Sequence, residues 1–141
     1  MNLVIDCSVA FKWAVVEIHR PKAILLRDDF RNGIHELFAP DHFPAEIGNA
    51  FLIAERRRAI GPGDGALALI DVLQTLPVIA ASIPLLPRAY EIAHRHQRTV
   101  YVSLYVALAE REQCDFITAD NKLVNGLQAA FPFVVHLASM P

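Results

Sequence analysis

The sequence has 141 residues, close to the roughly 150 residues of one domain, which is enough to bury ~68% of the surface an unfolded chain exposes, so no disulfide or metal staple is needed for folding. It is 54% apolar and 20% charged with a mean hydropathy of +0.32, above the ~45–50% apolar content of an average soluble domain, and this excludes disorder. Its 13 basic and 15 acidic side chains leave a net charge of −2, so no global field draws it to nucleic acid and any such partner must meet a local patch.

Met1-Asn2-Leu3-Val4-Ile5-Asp6 has no basic leader and reaches an acid after three apolar residues, so the expectation is no signal peptide and a cytoplasmic protein. Asn2 to Ile5 predicts a short strand without alternation, as a doubly covered parallel sheet requires, ended by Asp6. Leu37 to Ala39 is a second strand. Asp41 or Pro44 opens a helix with Ile47, Ala50, Phe51 and Ala54 on its apolar face, and Gly61-Pro62-Gly63 breaks the chain after it. Asp64 to Leu76 continues as a helix with Leu67, Ile70, Val72 and Leu73 in register. Leu76 to Pro87 is the longest apolar stretch, but Ser82 and three prolines interrupt it and it is shorter than the ~18 to 20 residues of a membrane span. Val78 to Ala81 within it is ambiguous. Leu85 to His96 and Val102 to Arg111 predict two more helices, Phe116 to Ala119 a strand ended by Asp120, and Phe133 to Leu137 a last strand. Short buried strands alternating with helices predict one domain over residues 1–141, a three-layer α/β/α sandwich with a mainly parallel central sheet. Cys7 and Cys114 lack metal-ligand spacing and read as small buried hydrophobes.

In open α/β sheets, ligands collect beyond the carboxyl ends of the strands, where Asp6 and Asp120 both stand. Glu46 lies in the first turns of its helix, beside Ile47 and three residues before Asn49. Converging carboxylates repel one another unless a cation joins them, and a hard divalent ion, Mg²⁺ or Mn²⁺, suits such oxygens. Taken singly, each strand-terminal Asp is more often a helix N-cap, and Glu46 more often a solvated residue or a partner for a nearby Arg.

What joins the three is a resemblance. Val4-Ile5-Asp6-Cys7-Ser8-Val9-Ala10-Phe11-Lys12-Trp13, followed by Glu17, resembles the first motif of the PIN-domain ribonucleases, specifically the VapC toxins of prokaryotic toxin–antitoxin pairs. Ala39-Pro40-Asp41 with Ala45-Glu46-Ile47-Gly48-Asn49-Ala50 is similar to the second, Tyr101 to Glu110 to the third, and Phe116-Ile117-Thr118-Ala119-Asp120-Asn121-Lys122-Leu123 to the fourth. The resemblance implies that Asp6, Glu46 and Asp120 bind one or two Mg²⁺ or Mn²⁺ ions and activate water to hydrolyse RNA. It also implies that Ser8 and Thr118 support those ligands or bind phosphate, that Asn49 stands behind them, and that the chain dimerises and pairs with a VapB-like antitoxin in a groove beside the site. The apolar helices Ala66 to Leu76 and Leu85 to Ala93 could furnish such surfaces.

One position departs from the pattern: the third motif has an acid after its tyrosine, and here Val102 follows Tyr101. Ser103 is displaced by about 100° around a helix and does not replace it. Glu110 is two turns further on, and Asp115 is at the far end of its strand from Asp120. Losing one negative charge should lower metal affinity without harm to the fold. The reading is therefore a weakened endoribonuclease, and the alternative is a catalytically silent module that binds antitoxin or RNA. A receiver-like phosphoacceptor domain would need further acids beside Asp6. Two basic runs, Arg56-Arg57-Arg58 and His94-Arg95-His96-Gln97-Arg98, could contact RNA phosphates through Arg56, Arg57, Arg95 and Arg98, though the first also suits the end of a helix dipole. Lys12 and Trp13 read as residues that hold the first helix in place.

Overall fold

A computed structural model describes residues Met1–Pro141. The chain runs β1 (Asn2–Ile5), α1 (Cys7–Ala14), α2 (Arg20–Arg31), β2 (Glu36–Pro40), α3 (Phe43–Arg56), α4 (Asp64–Gln74), β3 (Val78–Ala80), a 3₁₀ turn (Ile83–Leu85), α5 (Leu86–His96), α6 (Val100–Glu112), β4 (Asp115–Thr118), α7 (Asn121–Leu127), β5 (Val134–His136) and a last 3₁₀ turn (Leu137–Ser139). The five strands form one sheet in the order β3-β2-β1-β4-β5, with every neighbouring pair parallel. The α/β sandwich expected from the strand and helix pattern is present, and the sheet is parallel throughout.

The strand order places the site. The chain moves outward from β1 through β2 to β3, then crosses back to β4 on the other side of β1 and continues to β5. Order therefore reverses between β1 and β4, and the crevice beyond their carboxyl ends is where open α/β sheets receive ligands. Ile5 is paired with Ile117, so Asp6 emerges beside Thr118. β1 and β4 are apolar because both faces of the sheet are covered: Val4, Ile5, Phe116 and Ile117 are all buried.

α6 covers β1, β2 and β4, with α5 packed against it, and its residues Ser103 to Ala109 are buried without interruption. That explains its sequence, apolar all round where a surface helix would show one stripe. It begins two residues before the predicted Val102, capped by Thr99, whose hydroxyl accepts from the Val102 N–H at 3.1 Å. On the other flank α1 packs with α2, α3 and α4. The Trp13 indole is fully buried and donates to the Ala23 carbonyl at 3.0 Å, pinning α1 to α2. Trp13→Ala should lower the unfolding free energy by about 3–5 kcal/mol, read from urea denaturation with an unchanged m-value.

Two elements depart from the sequence pattern. α2 was not expected: its stretch is polar, only Ala23 and Leu26 are buried, and its start at His19 carries no side-chain cap. α4 forms where its periodicity places it, but Leu67, Ile70 and Leu73 are exposed while Val72 and Gly65 face inward. Part of the apolar excess therefore lies on the outside of the molecule. Val78–Ala80, ambiguous in sequence, is an edge strand of three residues.

Candidate active site

Asp6 ends β1 in extended conformation and is the N-cap of α1. Its Oδ1 accepts from the Ser8 N–H at 3.0 Å and from the Ser8 hydroxyl at 2.5 Å, and its Oδ2 accepts from the Thr118 hydroxyl at 2.6 Å. Ser8 Oγ in turn accepts from the Ala119 N–H at 2.8 Å. One carboxylate thus ties the ends of β1 and β4 together through two hydroxyls, and capping and site-building are the same arrangement. Burial outweighs these hydrogen bonds and lifts the Asp6 pKa to about 6. Thr118→Val removes one donor that favours the charged form, so the Asp6 pKa should move above about 6. Carboxyl-carbon NMR titration would read the change, and an unmoved midpoint would mean that this bond has no influence.

Asp120 is the N-cap of α7, its Oδ1 accepting from the N–H groups of Lys122 at 2.9 Å and Leu123 at 3.2 Å, while its own N–H donates to Thr118 Oγ1. Glu46 rises from the first turn of α3. Its side chain is 41% exposed and touches His42 one turn earlier, yet Oε1 is buried with no aligned hydrogen-bond donor. Asp6 and Glu46 share a neighbourhood: burial first, and then the charges of both, push the Cys7 thiol up, and the same carboxylates add to the burial that raises the Tyr105 phenol. Cys7 donates weakly to the Phe43 carbonyl and stays protonated, as its reading as an inert hydrophobe requires.

The remaining predicted residues separate. Asn49 is exposed and makes no side-chain hydrogen bond. Val102 is half-buried against the core. Glu110 accepts from Nε and Nη2 on one edge of the Arg88 guanidinium at 2.8 and 3.0 Å, which keeps its carboxyl below the usual range and engages it away from the acids. Asp115 begins β4, at the opposite end of that strand from Asp120. Arg56 is exposed at the end of α3. Arg57 lines a 680 Å³ groove with Ser8, Phe11, Lys12 and Ala119, so it borders the site. Arg95 stands on α5 in a shallow depression with Tyr90 and His94. The Arg98 guanidinium lies on α7 over Gly126, where a β-carbon would collide with it.

Sequence reasoning missed two neighbours of the site. Lys12 is buried, pairs with Glu17 at 3.1 Å, and lines both the groove beside Ser8 and a second cleft beside Asn121. Its spacing of one turn after Ser8 was the available signal. His42 precedes Glu46 by four residues, the spacing that brings helical side chains together.

The oxygens fit a hard divalent cation in kind, since two carboxylates share one neighbourhood, although Glu46 Oε1 already meets the His42 ring. They do not make a complete set, since no three acidic, histidine or cysteine side chains converge closely enough to hold a metal ion.

No protein-family model matches the chain, and no curated protein matches it. Solved structures do. PAE2754 from Pyrobaculum aerophilum is similar at a TM-score of 0.69 and 18% identity, over 99% of this chain and 91% of that one. VapC20 from Mycobacterium tuberculosis, a toxin that cleaves the sarcin–ricin loop, is similar at a TM-score of 0.64 and 15% identity, over 89% of this chain and 95% of its own. At such identities the likeness is one of fold. No helix is long and apolar enough to cross a membrane.

Proposed function

We propose that residues 1–141 form a single PIN domain acting as a metal-dependent endoribonuclease, the toxin of a cytoplasmic toxin–antitoxin pair, with a site weakened by Val102. The observation that carries this reading is Asp6 at the point where strand order reverses, enclosed and oriented by Ser8 and Thr118. The fold shared with VapC20 supports it.

Asp6, Glu46 and Asp120 would hold Mg²⁺ or Mn²⁺. Such an ion supplies Lewis-acid stabilisation to a phosphodiester undergoing in-line displacement. The chain's own groups do the rest. Ser8 and Thr118 fix both oxygens of Asp6, so no rotamer search precedes ion binding. Asp120 keeps Oδ1 in the α7 cap and leaves Oδ2 without a hydrogen bond. Arg57, exposed on the wall of the adjoining groove, places positive charge where an RNA backbone would pass, while Lys12 on the same wall is matched by Glu17. The groove's apolar wall of Phe11, Val15, Val16 and Ile53 suits a segment of a VapB-like antitoxin, and the exposed Leu67, Ile70 and Leu73 of α4 suit a homodimer contact.

Calorimetric titration with Mn²⁺ tests the reading. The protein should bind the ion, and Glu46→Gln should weaken binding by about tenfold or more. Absence of binding would favour the silent module that the incomplete ligand set and Val102 also allow.

A further inference from the structure

A second cleft, of about 450 Å³, shares Lys12 and Ala119 with the groove beside Ser8. Its volume is within the ~300–1,000 Å³ of sites that hold small organic groups. Its polar lining comes from His19 just before α2, Asn121 and Asn125 on α7, and His136 at the end of β5. No carboxylate lines it, and its one ammonium, Lys12, is matched by Glu17. It therefore offers amides and imidazole rings with no surplus charge.

The two rings are held in place. His136 is in register with Thr118 and uses both ring nitrogens: Nδ1 accepts from the Ala138 N–H at 3.0 Å, so the proton is on Nε2, which donates to the Ala119 carbonyl at 3.2 Å. The N–H of Ala119 donates to Ser8 Oγ, so short links join this ring to the hydroxyl that holds Asp6. His19 meets His136 edge to face, with centroids 5.8 Å apart and planes at 81°, which makes a corner of two aromatic walls. Its φ of 65° lies in a turn closed by the Arg20 N–H on the Glu17 carbonyl, a place that favours glycine or asparagine. Gln97 and Gln113 owe their positive φ to helix C-caps, and Arg58 follows the C-cap of α3, but His19 precedes its helix. Left-handed backbone outside glycine collects at ligand sites. The Lys22 ammonium donates to the Ala138 and Met140 carbonyls at 2.6 and 2.5 Å and ties the turn after His136 to α2. The corner thus exists before a ligand arrives, which lowers the ordering cost of binding.

We propose that this cleft is a base-binding subsite that seats one unpaired RNA nucleotide next to the scissile phosphate, its ring stacked in the His19–His136 corner and its edge on the Asn121 and Asn125 amides. The proposal rests on the RNA-cleaving reading above and adds a specificity element to it. RNA sequence is read mostly on unpaired bases, splayed onto aromatic rings and hydrogen-bonded along their edges. An amide presents donors beside an acceptor, the complement of such an edge. A free phosphate is a poorer match, because the charge of Lys12 is already met. A base held in a duplex stays stacked on its neighbours and does not enter the corner.

NMR of the histidine ring protons tests this, with a mixed-sequence single-stranded RNA oligonucleotide, the same strands as duplex, or inorganic phosphate added in the presence of chelator. His19→Asn and Asn125→Ala are compared with the wild type. Asn tolerates the left-handed φ and removes the ring, and Ala suits an exposed helix position, so neither should disturb the fold. Single-stranded RNA should shift the His19 and His136 signals, and duplex and phosphate should not, while His35 at the amino end of β2 stays in place. Both variants should bind the single strand about fivefold or more weakly and, in Mn²⁺, change the base preferred beside the cut. If the wild type cuts RNA but the ring signals do not move and both variants keep its base preference, the inference fails and the nuclease reading stands. If the signals shift and both variants bind weakly but no RNA is cut, the subsite stands and the nuclease reading fails. If phosphate moves the rings as far as RNA does, the cleft is an anion site and the inference fails.

Discussion

Asp6→Asn should stabilise the metal-free protein at pH 7.5 by about 3 kcal/mol at most and abolish metal-dependent cleavage. The folded-state pKa of Asp6 is raised from the ordinary 3.8 to about 6, chiefly by burial. The folded state therefore holds the proton more tightly than the unfolded chain. Its contribution to stability is complete below pH 3.8 and is lost as the pH rises through about 6. Asn keeps the acceptor for the Ser8 N–H and carries no charge to desolvate, so the variant escapes this loss. Urea denaturation of both proteins should give a difference close to zero at pH 4 that grows to its full value above pH 6.5. A constant difference across that range would place the burial cost elsewhere. A divalent ion should narrow the gap in the wild type alone, because binding to the native state adds stability by mass action.

Val102→Asp should raise Mg²⁺ affinity by at least about tenfold and increase Mg²⁺-dependent cleavage correspondingly. Position 102 is the third residue of α6, and its N–H is already satisfied by the Thr99 hydroxyl. A carboxylate there joins a positive helix end, worth about 0.3–1 kcal/mol. Against that, the variant removes a half-buried isopropyl group from the core edge and puts a charge there that must be partly desolvated. The metal-free variant should therefore unfold at slightly lower urea than the wild type, and Mg²⁺ should reverse the order. Equal Mg²⁺ affinities in the two proteins would remove Val102 as the cause of weakness.

The central strands were legible because their chemistry is extreme. β1 and β4 are apolar on both faces and end abruptly at Asp6 and just before Asp120, and that boundary located the site as well. α2 was not legible, since a helix with two buried residues in twelve has no apolar stripe to detect. Periodicity found α4 but left open whether Leu67, Ile70 and Leu73 face the core or the outside, where they lie, because an apolar stripe identifies a face without saying what covers it. Motif order brought Asp6, Ser8 and Thr118 together, and the sheet register explains why: Ile5 pairs with Ile117, one residue before each partner. His42 escaped notice because the rings it packs against, Tyr101 and Tyr105, are about sixty residues away in sequence.

Cleavage of mixed-sequence RNA oligonucleotides in Mn²⁺ by the wild type, Val102→Asp and Asp6→Ala tests the central claim most directly. Slow cutting by the wild type, faster cutting by Val102→Asp, none by Asp6→Ala and none in any sample with chelator is the predicted result. Cutting that persisted in Asp6→Ala, or a Val102→Asp protein that bound the ion and left every RNA intact, would contradict it.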